Sequence, residues 1–130
     1  MASIFSRIID REIPAHIIAE DDSFLAFLDI NPLAEGHTLV IPKNETDYFF
    51  DLEDQWLAGI MPFAKKVAKA IEQVVECERI GVSVIGLEVP HAHVHLIPIN
   101  GIADMDFGKM KLSPTQDELA EIAEKIRSSL

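Results

Sequence analysis

The sequence predicts an α+β fold: about five mostly antiparallel strands, one long central helix, a short N-terminal helix and a C-terminal helix. Three observations carry this. Short runs rich in Ile, Val, Leu and Phe recur in residues 17–42 and 80–97. An apolar stripe stepping by three or four occupies residues 52–75. Helical patterns flank these blocks at both ends, with no linker, repeat or low-complexity tract between them. At 130 residues and 48% hydrophobic, the chain reads as a single domain, 1–130, long enough to bury roughly two-thirds of its unfolded surface.

Residues 3–9 read as the first helix, ended before Ile13-Pro14 because the residue before a proline disfavours helix. Ile17–Ala19 and Ser23–Asp29 read as strands around the acidic turn Glu20-Asp21-Asp22, and His37–Pro42 as a third strand entered through Gly36. Asp51 is expected to cap the long helix, with Glu53 and Asp54 in its first turn. Leu52, Trp56, Ile60, Phe63, Ala64, Val67, Ile71, Val74 and Val75 form its apolar stripe, which reads as core or subunit interface. Ile80–Ile85 and His91–Ile97 are the fourth and fifth strands, joined by a turn near Gly86. Residues 101–113 are irregular, and Ser113 is expected to cap a last helix with Pro114 at its first position.

Composition removes several classes of function. The single cysteine, Cys77, allows no internal disulfide, and nothing beside it activates a thiol. No run approaches the ~18 apolar residues of a membrane span, and the first residues lack the pattern of a secretory signal. A cytoplasmic setting without a membrane partner is therefore expected. Eleven basic and 22 acidic residues give a net charge of −11, concentrated in residues 10–54. Such a surface repels a phosphate backbone, so nucleic acid is not expected as a partner. An anionic small ligand must be held by local donors instead.

The chemistry is concentrated in Pro90-His91-Ala92-His93-Val94-His95-Leu96-Ile97-Pro98. On a strand, His91, His93 and His95 share one face while Ala92, Val94 and Leu96 enter the core. Neighbouring histidines would stand ~6.6 Å apart, and all three would span ~13 Å, too far to hold one ion together. Two of them with a ligand from elsewhere could hold a metal. Alternatively a neutral imidazole attacks phosphorus while its neighbours donate to the phosphoryl oxygens. Spacing alone does not choose between these.

The run matches the His-φ-His-φ-His-φ-φ signature (φ apolar), and Ser3–Ile9, Glu12-Ile13-Pro14, Leu25-Ala26-Phe27, Asp29-Ile30-Asn31-Pro32 and Gly36–Lys43 follow in the order of the same family. Over about residues 3–98 the chain resembles the histidine-triad (HIT) superfamily, in particular its nucleoside phosphoramidase branch. The resemblance implies the HIT fold and a hydrolase that cleaves purine nucleoside 5′-phosphoramidates or related conjugates through a nucleotidyl-histidine. His93 would be the nucleophile, His95 would contact the phosphoryl group, His91 would brace the nucleophile's backbone hydrogen bond, and His37 would support the cluster. Asp29 would bind the ribose hydroxyls; Ile4, Phe5, Ile8, Phe27, Leu28 and Ile30 would wall the base, although any one of them taken singly reads first as ordinary core. No cofactor is implied, and relatives are usually homodimers. The alternatives are a dinucleoside polyphosphate hydrolase, a nucleotide-binding regulatory protein with negligible turnover, or a metal hydrolase using two of the histidines.

Two departures from the family pattern stand out. Many members hold a structural zinc with two cysteines and two histidines; the matching positions here are Ser3, Ser6, Glu45 and His91, so no structural zinc is expected. Before the triad, Glu88 occupies the position of a usual Ser or Thr, in a shortened loop. Its carboxylate would repel phosphate, so it either faces away or selects or protonates an amine leaving group. Asn100 replaces a common basic residue, Lys43 reads as a partner for surface acids, and His16 as solvated.

Overall fold

The computed structural model describes residues 2–130. Helix α1 (Ile4–Ile9) leads into strands β1 (Ile17–Glu20), β2 (Phe24–Leu28) and β3 (Thr38–Pro42). A short 3-10 turn (Phe49–Asp51) precedes helix α2 (Asp54–Val74), followed by β4 (Arg79–Ser83) and β5 (Val94–Ile99). A second 3-10 turn (Ile102–Met105) and an irregular segment lead to helix α3 (Gln116–Arg127). The strands form one antiparallel sheet in the order β1-β2-β3-β5-β4.

Both faces of the sheet centre are covered, which is why β2 and β3 read as continuous apolar runs rather than alternating ones. Phe24, Ala26, Leu28, Val40, Val94 and Leu96 face α2 and α3, packing on Ile60, Val67, Ile71 and Ile126. Leu25, Phe27, Leu39 and Ile41 face the opposite way, onto Phe5 and Ile8 of α1. The period of two that sends Val94 and Leu96 to the first face leaves His93 and His95 on the second. Two glycines permit close approaches. Gly36 has φ +90°, and a Cβ there would lie 2.9 Å from Val75 Cγ2. Gly59 lets the Phe24 ring lie against α2, where a Cβ would meet it at 3.1 Å.

Several expected boundaries move. The fifth strand begins at Val94 instead of His91: its pairing with β3 stops at Val40–Val94, and continued register would bring Ala92 opposite Pro42. That proline has no N–H to offer, its carbonyl is taken by the His91 ring, and the Ala92 N–H turns to Thr46 O. The fourth strand ends at Ser83, so residues 84–93 form a long connection where a turn near Gly86 was expected. Glu53, not Asp51, stands at the α2 N-cap; residues 49–51 are held in their own 3-10 turn. Thr115, not Ser113, caps α3, through a reciprocal pair in which Thr115 Oγ1 accepts from Glu118 N–H and the Glu118 carboxylate accepts from Thr115 N–H. Trp56 is partly buried and packs edge-on against Phe24 with ring centroids 5.7 Å apart, at the margin of the core. His16 is half-buried rather than solvated, bonded through Nε2 to Gln116 Oε1 at 2.7 Å. Lys43 pairs with Glu20 at 2.8 Å, as a surface partner should.

Candidate active site

His93 and His95 enter from the start of β5, with ring centroids 4.9 Å apart, closer than the strand rise alone gives because the rings tilt together. His95 lies opposite Leu39 of β3 and Ser83 of β4, at the middle of the sheet. His37 reaches it from the entrance of β3. His91, His93, His95 and His37 are all buried, yet none leaves a buried polar atom without a partner among the described residues.

Hydrogen-bond bookkeeping fixes the proton on each ring. His37 Nδ1 accepts from the Leu33 N–H at 3.0 Å, so the proton of the neutral ring sits on Nε2. That Nε2–H donates to His95 Nδ1 at 2.9 Å. His95 therefore carries its own proton on Nε2, the nitrogen left over for a ligand. His93 donates from Nδ1 to the His91 carbonyl at 2.7 Å, which leaves its Nε2 as a lone pair. One nucleophilic nitrogen and one donor thus stand side by side. Burial, reinforced by the neighbouring imidazoles, lowers His37 to about 3 and His95 to about 4, so both rings are neutral at pH 7.

His91 serves a different purpose. Its Nε2–H donates to Pro42 O at 2.8 Å, and its Nδ1 accepts from the Ser3 hydroxyl at 2.9 Å. Ser3 N–H and Ser6 Oγ–H both donate to Glu45 Oε1 at 2.6 Å, and Ser6 N–H donates to Ser3 Oγ. The four positions that match the family's zinc ligands do converge here. Their donor set does not fit zinc: two neutral hydroxyls replace the thiolates, and the His91 lone pair is already engaged. The bonds to the serines hold Glu45 down to about 2.

A second group, Asp29, His37 and His95, brings one carboxylate oxygen and two ring nitrogens within 4.8 Å of one another. It suits a metal poorly. A cation on His37 Nε2 would displace the proton that the Leu33 N–H, by occupying Nδ1, forces onto that nitrogen.

Two cavities open from the rings of His93 and His95. The first, about 310 Å³, runs toward α1 and contains every residue expected to wall a base: Ile4, Phe5, Ile8, Phe27, Leu28 and Ile30. Phe5, Ile8 and Phe27 also build the core beneath it, so both readings hold for those three, whereas Ile4 and Ile30 are half-exposed at its rim. Phe5 meets His93 edge-on at 5.0 Å. Asp29 lies at the junction, one oxygen accepting from Asn31 N–H and the other 3.7 Å from His37 Nε2; burial raises its pKa. The second cavity, about 350 Å³, runs toward residues 85–88 and 107–111. Glu88 lines both, beside the two rings, and its charge is felt by Asp29.

Sequence reasoning missed Phe107 and Lys111, which line the second cavity. Phe107 lies edge-on to His95 at 4.8 Å. A lone aromatic in an irregular, polar segment carries no periodic signal by which to place it. Asn100, where relatives often carry a base, serves the backbone instead: its side chain accepts from Glu78 N–H and its N–H donates to Asp104.

Comparison with known proteins gives consistent matches. The HIT domain family model matches residues 10–101. The adenosine 5′-monophosphoramidase hnt1 of Schizosaccharomyces pombe is 35% identical over 133 residues, covering 100% of this chain and 99% of that protein. A Hit-like protein from Bartonella henselae superposes with TM-score 0.84 at 34% identity, covering 98% and 96% of the two chains. A zinc-bound histidine triad family protein from Mycobacterium smegmatis gives 0.82 at 27% identity, covering 99% and 93%.

Proposed function

The chain belongs to the HIT domain family, and on that premise we propose that it hydrolyses purine nucleoside 5′-phosphoramidates, or closely related nucleoside monophosphate conjugates, through a nucleotidyl-His93 intermediate. The observation that carries this reading is the proton arrangement: a lone pair on His93 Nε2 beside an N–H on His95 Nε2. In the first step His93 Nε2 bonds to phosphorus as the P–N bond breaks, and the amine nitrogen keeps that electron pair and takes up a proton from solvent. In the second, water attacks phosphorus, the P–Nε2 bond breaks, and the proton lost by water returns to solvent. His95 donates to a phosphoryl oxygen whose charge rises in each transition state. Asp29 is placed to accept from the ribose hydroxyls, and the apolar cavity takes the base.

Support also comes from the relatives of 32–42% identity that are named adenosine 5′-monophosphoramidases. A dinucleoside polyphosphate substrate fits less well, because Asp29, Glu88 and a single lysine face the phosphate side. The working unit in this reading is a cytoplasmic homodimer. Val82 on edge strand β4 and Val84 just after it, with Leu87, Tyr48 and Phe50, are exposed apolar residues around one rim.

The test is AMP release from adenosine 5′-phosphoramidate and from a diadenosine polyphosphate, both with chelator present, using the parent and His93→Ala. The reading expects fast release from the phosphoramidate and a loss of roughly a thousandfold in the variant. Tight nucleotide binding with no His93-dependent turnover of either compound would replace it with a binding protein.

A further inference from the structure

The cavity beyond the nucleoside pocket runs from the rings of His93 and His95 out to residues 85–88 and 107–111. Its outer wall, residues 106–112, is tied to the body through Leu112 at one end and through the Phe107 ring, and is turned on itself between Asp106 and Gly108. Leu112 N–H donates to Pro32 O at 2.9 Å, and Gly108 N–H to Asp106 Oδ1 at 2.8 Å. The Phe107 ring sits on the rings of His95 and His37 at 4.8 and 6.4 Å. Lys111, exposed at the cavity mouth, donates from Nζ to Phe107 O at 2.9 Å, a bond that aligns the ammonium with this cavity. Asp29 and His37 both feel its charge. Lys111 is the one cation lining this cavity, facing the carboxylates of Asp29 and Glu88.

We propose that this cavity receives the leaving group, and that Lys111 makes it select an amine whose substituent carries a negative charge. The inference rests on the phosphoramidase reading and deepens it. With the nucleoside in the first cavity and phosphorus at His93, the P–N bond that breaks must project toward the second. There, Glu88 accepts from the N–H of the departing amine, while Lys111 pairs with an anionic group one or two bonds further out. A neutral amine leaves Lys111 with water. A polyphosphate chain sets several charges against one lysine and two carboxylates, so the charge balance favours a singly anionic substituent. Bond changes are those of the first step above: the P–N electron pair and one proton go to the amine nitrogen, and the substituent's charge is unchanged.

Binding separates this proposal from the hydrolase reading. In a His93→Ala background, affinity is measured for three adenosine 5′-phosphoramidates whose amines are methylamine, glycine and aminomethylphosphonate. Both anionic compounds are expected to bind roughly fivefold or more tightly than the methylamine one. The glycine and phosphonate arms tell which anion the subsite prefers. Adding Lys111→Met should bring the ratios to about one, and Lys111→Arg should keep them. Ratios near one with Lys111 present, or ratios that survive Lys111→Met, overturn the proposal. Turnover of the methylamine compound by the parent protein reports on the hydrolase reading alone.

Discussion

At the scale of single residues, the site depends on where four protons sit, and one backbone N–H sets the pattern. Leu33 N–H takes the lone pair of His37 Nδ1, and the assignment passes through His37 Nε2–H to His95. The histidines were legible in the sequence as a spacing, and Asp29 as an acidic residue in a family motif. Their tautomers were not, because the deciding partners are main-chain groups of Leu33 and His91 that no side-chain pattern encodes. The same burial that keeps the rings neutral makes the fold acid-sensitive. With His37 at about 3 and His95 at about 4, below the ordinary value near 6.5, the folded state binds fewer protons than the unfolded one between those limits. Stability is full above about pH 6.5 and falls as pH drops toward 3, by on the order of 2 kcal/mol for each ring at pH 5. Urea denaturation at pH 7 and pH 5 checks this: the midpoint should fall clearly at pH 5, and an unchanged midpoint would mean the rings are protonated in the fold.

At the scale of elements, α1 and the residues before β5 are joined by one polar cluster. Ser3, the α1 N-cap, accepts from Ser6 N–H and donates to His91, while Glu45 accepts from both serines. The helix that carries the base-pocket residues Ile4, Phe5 and Ile8 is thereby tied to the carbonyl that orients His93. Ser3→Ala removes the buried partner of His91 Nδ1 and is expected to cost about 1–3 kcal/mol. It should also lower turnover more than nucleotide affinity, because the nucleophile's support loosens while the pocket walls remain. Chemical denaturation together with kcat and KM measures both; a variant as stable and active as the parent would show that the tie is idle. Sequence periodicity found every strand and helix here, and erred at their ends. It extended the fifth strand back to His91 because alternation continues there, although the ladder with β3 ends at Val40–Val94 and the Pro42 carbonyl goes to the His91 ring. It placed the caps of α2 and α3 two residues early, since Asp51 and Ser113 are as good candidates by type as the residues that do stand there.

At the scale of the whole molecule, a chain of net charge −11 handles an anionic ligand by concentrating donors in one buried place. In the proposed reading the imidazoles and Lys111 meet the phosphoryl end, with Asp29 and Glu88 the two acids beside them. The exposed apolar band at the end of β4 and in the connection after it is the other global feature, and its meaning was not legible in the sequence. Val82, Val84 and Ile85 read simply as a strand until that strand proved to be the sheet edge. Val84→Asp is expected to convert a dimer into a monomer by light scattering; a parent protein already monomeric would remove the dimer from the account. The architecture, by contrast, was largely readable, because two-faced burial leaves continuous apolar runs and a long amphipathic helix. The central claim remains the covalent role of His93, and trapping the intermediate tests it most directly. Protein mixed with adenosine 5′-phosphoramidate, quenched within a turnover and digested for mass spectrometry, should carry one AMP on the peptide containing His93, lost in His93→Ala together with turnover. Full turnover with no adduct, retained in His93→Ala, would contradict it.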